Sequence, residues 1–595
     1  MKAREQRGYL VGRVRGLGIA CAVLMTVLLV TYWYVQGAEG EIYRDMADHN
    51  RLRKVPIEAT RGLIYDRKGD LLVENVPSYS LLLDRSRDRS LAASVEFAAR
   101  VLDTTTSALD AVLARDHDKP DFVPVLLAEG LTLGQVARIS AQALEHPEFE
   151  IHVDQLRLYR HGPQTAHLLG YLGEVSEGEL RSSHGELRAG ELVGRKGVEE
   201  EFDSELRGRD GVRVVEVDSR GRPRKEFGRL PATPGRSLRL TIDLELQQEA
   251  ERLLTGKAGA IVALDPNSGA VLALASAPSF NPNVFARRLD QSQWESILKD
   301  PGHPLEDRAI QDAYSPGSVF KIVVAVAGLA EGVIRPQDTI HCSGSKVFYD
   351  RRFRCWWPSG HGWVNLHKAL RESCDIYFYT LGQKLGIENI AKYARLLGLG
   401  KKTGIGLPTE RPGLVPDENW SEMVRHHPWY PGETISVAIG QGPLLVTPLQ
   451  LAVMMAAVAN GGYRVTPYVV LDGPPPPPVP LHLPASVLAP VQSGLVAVVN
   501  ENGTGVRAAI PGLEVAGKTG TAQVVAQKTR TLNKDLPEDL RDHAWFVSYA
   551  PAEHPRLVIV VFVEHGGHGA DAAAPIAKDL YETYFKIDKR KLPAT

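Results

Sequence analysis

The chain has 595 residues, which is long enough for two or three domains with separate hydrophobic cores. It carries 69 basic and 71 acidic side chains, and the formal net charge of -2 gives no electrostatic reason to expect a nucleic-acid partner. These totals predict a multidomain protein that does not bind nucleic acid.

An uncharged apolar stretch, residues 17–35, follows a short basic tail close to the N-terminus. As a helix it would be about 28 Å long, enough for one membrane crossing. The tail, residues 1–15, would stay in the cytoplasm, and the chain after the predicted anchor at residues 16–36 would be exported. A cleaved signal peptide is the alternative, but its apolar region is usually about 7 to 15 residues long.

The segment 37–236 is charged and irregular, with short strand-like pieces between polar helical ones. Within it, "RGLIYDRKGDLLVEN", which begins at Arg61, predicts two strands joined by a turn. Nothing in this segment assembles a catalytic set. We therefore predict a pedestal that holds a second domain away from the membrane.

The segment 237–590 has a different pattern. "GAIVALDPNSGAVLALASAP", from Gly259, predicts a β-hairpin. Helical patterns follow at residues 319–331, 376–385 and 447–460, and the last part returns to strands before a final helix at residues 574–585. Strands at both ends with helices between them predict an α+β domain in which helices cover an antiparallel sheet.

A serine and a lysine three positions apart, Ser318 and Lys321, stand where the first of these helices begins. Residues i and i+3 share one face of a helix, so the amine can reach the hydroxyl. This spacing suits a serine nucleophile with its base. The pattern alone is weak, because Ser296 with Lys299 and Ser343 with Lys346 also match it.

Two further motifs follow in order along the chain. Ser373 and Asp375 form an S-x-D motif, and residues 518–520 spell K-T-G and precede Thr521. The order S-x-x-K, S-x-D, K-T-G is the signature of the penicillin-binding protein and serine β-lactamase superfamily. A second K-T-G at residues 402–404 lies in a glycine-rich turn, whereas the copy at 518 lies in a predicted strand that could line a cleft, so we favour the latter.

The resemblance extends to the membrane-anchored class B penicillin-binding proteins and covers nearly the whole chain. "NRLRKVPIEATRGLIYDRKGDLLVEN" resembles their membrane-proximal motif, and "VGRKGVEEEFDSELRGRDG" resembles a segment of their pedestal. "WYPGETISVAIGQGPLLVTPLQLA" and "EHGGHG" are similar to the elongation-specific subgroup, and so is S-x-D in place of the commoner S-x-N. The division-specific subgroup is the alternative and fits less well.

The resemblance implies a D,D-transpeptidase that cross-links peptidoglycan stem peptides through a serine acyl-enzyme and is acylated by β-lactams. Ser318 would attack the carbonyl between two D-alanines, and Lys321 would take its proton. Ser373, with Asp375 holding the local network, would relay a proton to the departing D-alanine. No cofactor is needed for this acyl transfer.

The resemblance also assigns the substrate carboxylate to the K-T-G strand, through Lys518, Thr519 and Thr521 beside Gly520. The backbone N–H groups of Ser318 and Thr521 would form the oxyanion hole. The family further implies a bacterial inner-membrane location, a RodA-type SEDS glycosyltransferase partner, an MreC-type regulator and lipid-linked peptidoglycan precursors as substrates.

Three other functions share some of these features. A β-lactamase uses the same motifs but has no use for a long pedestal. A membrane-bound penicillin sensor would need a signalling domain, which a cytoplasmic tail of about 16 residues cannot supply. A scaffold whose pedestal activates a polymerase, with a secondary transpeptidase pocket, is the third alternative.

The cysteines form a separate pattern. Cys21 lies in the predicted anchor, and three exported cysteines cannot all pair within one chain. Cys342, Cys355, His361 and Cys374 are separated by 13, 6 and 13 positions. Three thiolates and one imidazole can hold zinc tetrahedrally, so we predict a structural zinc ion.

The alternative to zinc is a disulfide between Cys342 and Cys355, with Cys374 buried and inert. Some proteins of the resembled family carry zinc at matching positions, with aspartates where this chain has Cys342 and Cys355. That difference leaves Asp350 as a weaker candidate ligand. The zinc prediction is favoured because the disulfide leaves Cys374 and His361 without a role.

Overall fold

The computed structural model describes residues 2–41, 52–87, 90–118, 120–121, 123–183, 187–188, 190–217, 223–286, 291–524 and 536–587. Its N-terminal element is the helix Lys2–Trp33, which continues as a π-helical turn, Tyr34–Ala38. The stretch Val11–Ala38 is long and apolar enough to cross a membrane, with a mean hydropathy of 2.1 and no buried residues. The predicted anchor falls within this helical stretch.

The chain divides into two compact units. The smaller comprises Met1–Thr60, Pro77–Gln155 and Gly208–Gly235, and the larger comprises Arg61–Val76, Leu156–Arg207 and Arg236–Thr595. Two segments of the range 37–236, residues 61–76 and 156–207, thus pack with the C-terminal half of the chain.

The smaller unit contains an antiparallel sheet of three strands in the order β1-β8-β9 and a separate hydrophobic core. In that core, residues 81–83 of β3 pair with β4. The strands are β1 (Leu52–Ile57), β3 (Leu71–Leu83), β4 (Val125–Ala128), β5 (Phe149–Tyr159), β8 (Gly211–Val217) and β9 (Pro223–Leu230). The helices Leu91–Leu102, Thr106–Arg115 and Leu133–Ala141 share that core with residues of β3, β4 and β5.

The larger unit is built on an antiparallel five-stranded sheet with the order β12-β11-β21-β20-β19. These strands are β11 (Gly259–Leu264), β12 (Val271–Ala277), β19 (Ala516–Ala522), β20 (His543–Ala550) and β21 (Leu557–Val563). Nearly every residue of the sheet is buried, because helices cover both faces. The predicted hairpin from Gly259 is confirmed as β11 paired with β12, and the predicted α+β class is confirmed.

The four predicted helices of the larger unit are present; three of them differ at their ends by one or two residues, and the predicted helix 376–385 is the first part of Asp375–Leu396, before the non-helical Gly386. The predicted helix 319–331 is a 3₁₀ turn, Gly317–Phe320, followed by the α-helix Lys321–Ala330. The other helices are Ala166–Leu169, Glu177–Ser182, Gly197–Glu201, Asp203–Arg207, Leu244–Leu253, Gln291–Leu298, Leu366–Arg371, Asp375–Leu396, Glu418–Trp420, Pro431–Val437, Pro448–Ala459, Ala485–Asn500, Gly569–Ala572 and Ala574–Tyr584.

Short strands complete the larger unit. The predicted turn after Arg61 is present, since β2 (Ile64–Tyr65) pairs with the start of β3. The remaining pairs are β2 with β10 (Leu238–Arg239), β6 (Tyr171–Glu174) with β7 (Leu192–Arg195), β13 (Ile340–Cys342) with β16 (Gly362–Val364), β14 (Ser345–Phe348) with β15 (Arg351–Arg354), and β17 (Tyr463–Arg464) with β18 (Val479–Pro480).

A buried ion network joins two distant segments of the larger unit. Glu199 is fully buried and accepts hydrogen bonds from Arg61 Nε and Arg157 Nε, each at 2.8 Å. Arg61 also pairs with Asp203 at 2.8 Å. Burial opposes ionisation of Glu199, but the two guanidinium groups outweigh it and lower its pKa. The network therefore requires a carboxylate at position 199.

Replacing this carboxylate should destabilise the larger unit. Glu199→Gln leaves the buried guanidinium group of Arg157 without its charge partner and removes one of the two partners of Arg61, and the expected loss in the free energy of unfolding is about 3–5 kcal/mol. The loss should shrink as the pH falls below the range in which glutamate ionises, because a carboxylate with a lowered pKa stabilises the fold only while ionised. Denaturant titration followed by tryptophan fluorescence measures it, since seven of the eight tryptophans, all except Trp33, lie in the larger unit.

The matched control is Glu177→Gln, which removes an exposed ion pair with Arg181. Exposed pairs of this kind contribute about 0.3–0.5 kcal/mol, so the control should barely move the transition. Equal effects of the two substitutions would contradict the role given to Glu199.

Candidate active site

Ser318 lies in the 3₁₀ turn that precedes the buried helix Lys321–Ala330, and it is partly exposed. The turn packs backbone to backbone against β19. Gly317 has φ of +53°, and a Cβ there would lie 2.4 Å from the carbonyl oxygen of Thr521. A Cβ on Gly520 would lie 2.9 Å from the carbonyl oxygen of Pro316. Both glycines are therefore needed for the turn that carries Ser318 to reach the K-T-G strand.

Lys321 is fully buried at the start of this helix. Its Nζ donates to the carbonyl oxygen of Ser373 at 2.9 Å, to Ser373 Oγ at 3.1 Å and to Asp375 Oδ1 at 2.6 Å. Among the described residues, its hydrogen-bond acceptors do not include Ser318 Oγ. The transfer of the Ser318 proton to Lys321 accordingly stays a prediction.

Ser373 connects the two lysines of the site. It adopts φ of +53° just before the helix Asp375–Leu396. Its Oγ accepts hydrogen bonds from Lys321 Nζ at 3.1 Å and from Lys518 Nζ at 2.9 Å. The structure therefore brings together all three motifs around one hydroxyl.

Lys518 is fully buried in β19, an edge strand of the sheet. Burial, together with repulsion by Lys321, lowers the pKa of Lys518 well below the ordinary lysine value. The neighbouring Thr519 contacts Thr504, with 2.7 Å between the two Oγ1 atoms. Thr521 is half-buried, and its carbonyl oxygen accepts from Gln441 Nε2 at 3.3 Å.

Asp375 links the lysines to a neighbouring loop. Burial raises the pKa of Asp375, although the contact with Lys321 opposes this. One carboxylate oxygen bonds Lys321, and the other accepts from the backbone N–H of Trp356 at 2.8 Å. The carboxylate thus has a partner on each side.

The second K-T-G copy has a different environment. Thr403 Oγ1 and the Gly404 backbone N–H both donate to the carboxylate of Glu410. Lys402 is exposed. These contacts fit a turn stabilised by a buried glutamate, whereas Lys518 contacts Ser373.

The predicted metal ligands form one cluster. The ligand atoms of Cys342, Cys355, His361 and Cys374 all lie within 4.8 Å of one another. His361 Nδ1 lies 3.6 Å from Cys342 Sγ and 3.5 Å from Cys355 Sγ. A tetrahedral zinc ion separates its sulfur and nitrogen ligands by about 3.5–3.8 Å, so the four groups fit zinc.

The cysteines of this cluster are free thiols, so the alternative disulfide between Cys342 and Cys355 is not formed. A hydrogen bond from Cys374 lowers the pKa of the Cys355 thiol to about 3, and the same contact raises the pKa of Cys374. A thiolate is the form that binds metal. Asp350, the weaker candidate, lies in the turn between β14 and β15 with φ of +61° and is not in the cluster.

Several contacts around the site could not be foreseen from the motifs. The backbone N–H of Trp356 donates to Asp375, and the side chain of Thr504 contacts Thr519. The carbonyl oxygen of Gly440 accepts from the Gly317 N–H at 3.0 Å. Gly440 and Gln441 lie in "AIGQG", which the family resemblance included without a role. That resemblance was the available signal for them.

Comparison with known proteins agrees with this geometry. The family described as penicillin binding protein transpeptidase domain matches residues 259–582, and the penicillin-binding protein dimerisation domain matches residues 56–240. The peptidoglycan D,D-transpeptidase MrdA of Acinetobacter baumannii is 36% identical, with 97% of this chain and 87% of that protein covered.

Solved structures give the same result. The complex between penicillin-binding protein 2 and MreC from Helicobacter pylori contains a chain that is 28% identical, with a TM-score of 0.80, covering 90% of this chain and 99% of that one. A chain of a peptidoglycan synthase complex that coordinates polymerisation and crosslinking is 32% identical, with a TM-score of 0.73, covering 98% and 100%. The chain therefore belongs to the class B penicillin-binding proteins and, within them, resembles penicillin-binding protein 2.

Proposed function

We propose that the chain is the D,D-transpeptidase that cross-links peptidoglycan during cell elongation, with Ser318 as its nucleophile. The observation that carries this proposal is the convergence of Lys321 and Lys518 on the hydroxyl of Ser373 beside the Ser318 turn. A buried serine between two buried lysines can pass protons in either direction. Acyl transfer requires proton movement in both directions, since a nucleophile loses a proton and a leaving amine gains one.

In the first half of the reaction, Lys321 enters as the neutral amine; Ser318 Oγ bonds to the carbonyl carbon between two D-alanines, and the Ser318 proton passes to Lys321, which becomes the ammonium ion. The backbone N–H groups of Ser318 and Thr521 stabilise the oxyanion. Collapse of this intermediate breaks the C–N bond, and the departing D-alanine takes a proton through Ser373. The product is an ester on Ser318. Asp375 holds Lys321 in position through the 2.6 Å contact.

In the second half, the amine of another stem peptide attacks that ester. The new amide bond forms, the amine loses a proton to the same relay, and Ser318 recovers its own. Lys518, Thr519 and Thr521 hold the carboxylate that the donor peptide shares with penicillin. A β-lactam forms the same ester, but its opened ring stays attached and blocks the incoming amine.

The partners and location follow from the family. The protein of Helicobacter pylori is bound to MreC, and the similar chain from the synthase complex belongs to an assembly for polymerisation and crosslinking. We infer that this chain is a single-pass protein of the bacterial inner membrane, anchored by the helix Lys2–Trp33. It would work with an MreC-type regulator and a RodA-type glycosyltransferase that supplies glycan from lipid-linked precursors.

Zinc is the remaining part of the proposal. Cys342, Cys355, His361 and Cys374 would hold it, and its chemistry would be structural, since neither Ser318 nor either lysine is in the cluster. Cys374 directly precedes Asp375 and follows Ser373. A metal there would fix the backbone that carries both catalytic groups, and its binding free energy would contribute to folding.

Covalent labelling tests the nucleophile. A fluorescent penicillin should label the wild type and Ser296→Ala equally and should not label Ser318→Ala, because Ser318 belongs to the first of the three motifs that meet at the site whereas Ser296 belongs to none of them. Lys321→Met should slow acylation by at least about a hundredfold, as expected for loss of a general base. Intact mass measurement, with peptide mapping, locates the adduct. An adduct on Ser296, or on any serine other than 318, would refute the assignment.

The pH dependence of acylation tests the buried cation. Lys518 can hold a β-lactam carboxylate only while it is protonated, and its pKa is lowered. The acylation rate constant should therefore fall as the pH rises, at a pH below the usual lysine pKa of about 10.4. Lys518→Arg retains the charge throughout, because arginine does not deprotonate in proteins. Its remaining acylation should lack this alkaline fall, and the same fall in both proteins would contradict the role of Lys518.

Metal analysis tests the cluster. The purified chain should contain one zinc ion, which Cys355→Ser should lose and the matched control Cys21→Ser, in the apolar helix, should keep. Removal of zinc by a chelator should lower the melting temperature and the acylation rate together. A protein without zinc whose mass is two protons lower, from a bond between Cys342 and Cys355, would overturn the proposal.

A further inference from the structure

We propose that the loop carrying the Cys/His cluster, residues 340–364, presents a binding surface for the peptidoglycan strand itself. Its tryptophans would stack on sugar rings, and its arginines would pair with stem-peptide carboxylates. We name it the loop surface and define it by Arg351, Arg352, Arg354, Trp356, Trp357 and Trp363. The inference rests on the proposed function, because it assigns that enzyme a second contact with its substrate.

The first observation is the exposure of large aromatic side chains. Trp356, Trp357 and Trp363 are 47%, 49% and 67% exposed. Three of the eight tryptophans of the chain thus lie within eight positions, each with about half or more of its surface in water. Exposing that much aromatic area is unfavourable unless a partner covers it, and such patches mark interaction sites.

The second observation is that the loop holds these rings in place. Trp356 Nε1 donates to the carbonyl oxygen of Glu372 at 3.0 Å. The Trp363 ring lies against His341, with 5.1 Å between centroids, and the two residues face each other across the β13–β16 pair. Side chains that are already restrained in this way lose less conformational entropy when a ligand covers them.

The third observation is the charge beside the rings. Arg351, Arg352 and Arg354 are exposed on the β14–β15 hairpin. Within the described part of the chain, none of the three forms an ion pair with a carboxylate. Arg352 bonds Ser345 Oγ at 3.1 Å, and Arg351 lies over the Phe353 ring at 5.4 Å. The hairpin thus offers guanidinium groups that can bind carboxylates from another molecule.

The fourth observation is continuity with the catalytic groups. The backbone N–H of Trp356 donates to Asp375 at 2.8 Å, and Asp375 bonds Lys321 at 2.6 Å. Residue 356 is thus one backbone hydrogen bond away from the carboxylate that contacts Lys321, and on this basis we place the bound polymer beside the site where its stem peptides react. A pyranose ring has an apolar C–H face that packs on an indole face, whose electron density is negative. The tryptophans of the loop surface suit sugar rings, and its arginines suit carboxylates. Peptidoglycan carries sugar rings in its glycan strand and carboxylates in its stem peptides.

Pelleting with insoluble sacculi tests the proposal on the full chain in detergent. The catalytic serine is first blocked with a β-lactam, so that retention reports binding alone. The double variant Trp357→Ala/Trp363→Ala should reduce retention by about tenfold, and Arg354→Gln should reduce it less and at low salt only. Trp357→Phe/Trp363→Phe should restore most of it. The matched control is Tyr463→Ala, which removes an aromatic ring of similar exposure, 48%, from the β17–β18 pair.

Two probes separate the parts of the polymer. Retention by sacculi stripped of stem peptides should still fall in the double tryptophan variant. Arg354→Gln should no longer change that retention. Melting temperatures of the variants confirm that the larger unit is folded. Penicillin labelling of the wild type and of Tyr463→Ala tests the proposed function separately. Absence of labelling would contradict the proposed transpeptidase function, whereas sacculus retention reports on the loop surface.

Undiminished sacculus retention by the folded double tryptophan variant would overturn the proposal. If this variant retained sacculi but lost binding to vesicles of anionic phospholipid, the loop surface would be a membrane contact. If it retained sacculi but lost binding to an MreC-type protein, the loop surface would be a protein contact. Either result would also overturn the proposal.

Discussion

The burial of two lysine side chains beside a single hydroxyl is the constraint on which this site depends. Lys321 and Lys518 are both fully buried, and their amines lie 3.1 and 2.9 Å from Ser373 Oγ. Because both amines contact the same hydroxyl, their positive charges, when both are protonated, repel each other in a low-dielectric interior. Each amine has also lost its hydration. Asp375 compensates Lys321, whereas within the described residues Lys518 has no carboxylate partner. Burial and the charge of Lys321 therefore lower the pKa of Lys518, and the negative charge of an anionic substrate would stabilise the protonated form of Lys518.

The fold maintains this unfavourable arrangement through close backbone contacts. Gly317 and Gly520 let the nucleophile turn touch β19, and Gly440 meets Gly317 from the other side, where a Cβ would lie 2.1 Å from the Gly317 carbonyl oxygen. A larger side chain at any of these positions would push the serine turn away from the strand. Cys374 of the Cys/His cluster lies between Ser373 and Asp375 in the chain, so the cluster adjoins the backbone of the second motif.

The sequence could predict what is local. The hairpin at Gly259 has turn residues and β-branched runs, and the spacing of Ser318 and Lys321 places both at one helix start. It could not predict contacts made by backbone atoms, such as the Trp356 N–H on Asp375, because any residue can supply them. Nor could it predict that residues 61–76 and 156–207 pack with the C-terminal half, since contacts such as that of Lys196 Nζ with the carbonyl oxygen of Leu305, at 2.6 Å, join residues that are far apart in the sequence. The four candidate metal ligands could be predicted from the sequence because the chain has only four cysteines, three of which lie close together with a histidine between them.

If Ser318 joins stem peptides and does not merely react with penicillin, its products are cross-linked muropeptides. They can be measured by mass spectrometry of the muropeptides made by the purified chain, a polymerase partner and lipid-linked precursor. We expect cross-linked dimers from the wild type, with one D-alanine released for each link, and no dimers from Ser318→Ala in glycan of normal length. Dimers formed by the Ser318→Ala protein, or glycan that the wild type leaves uncross-linked, would contradict it.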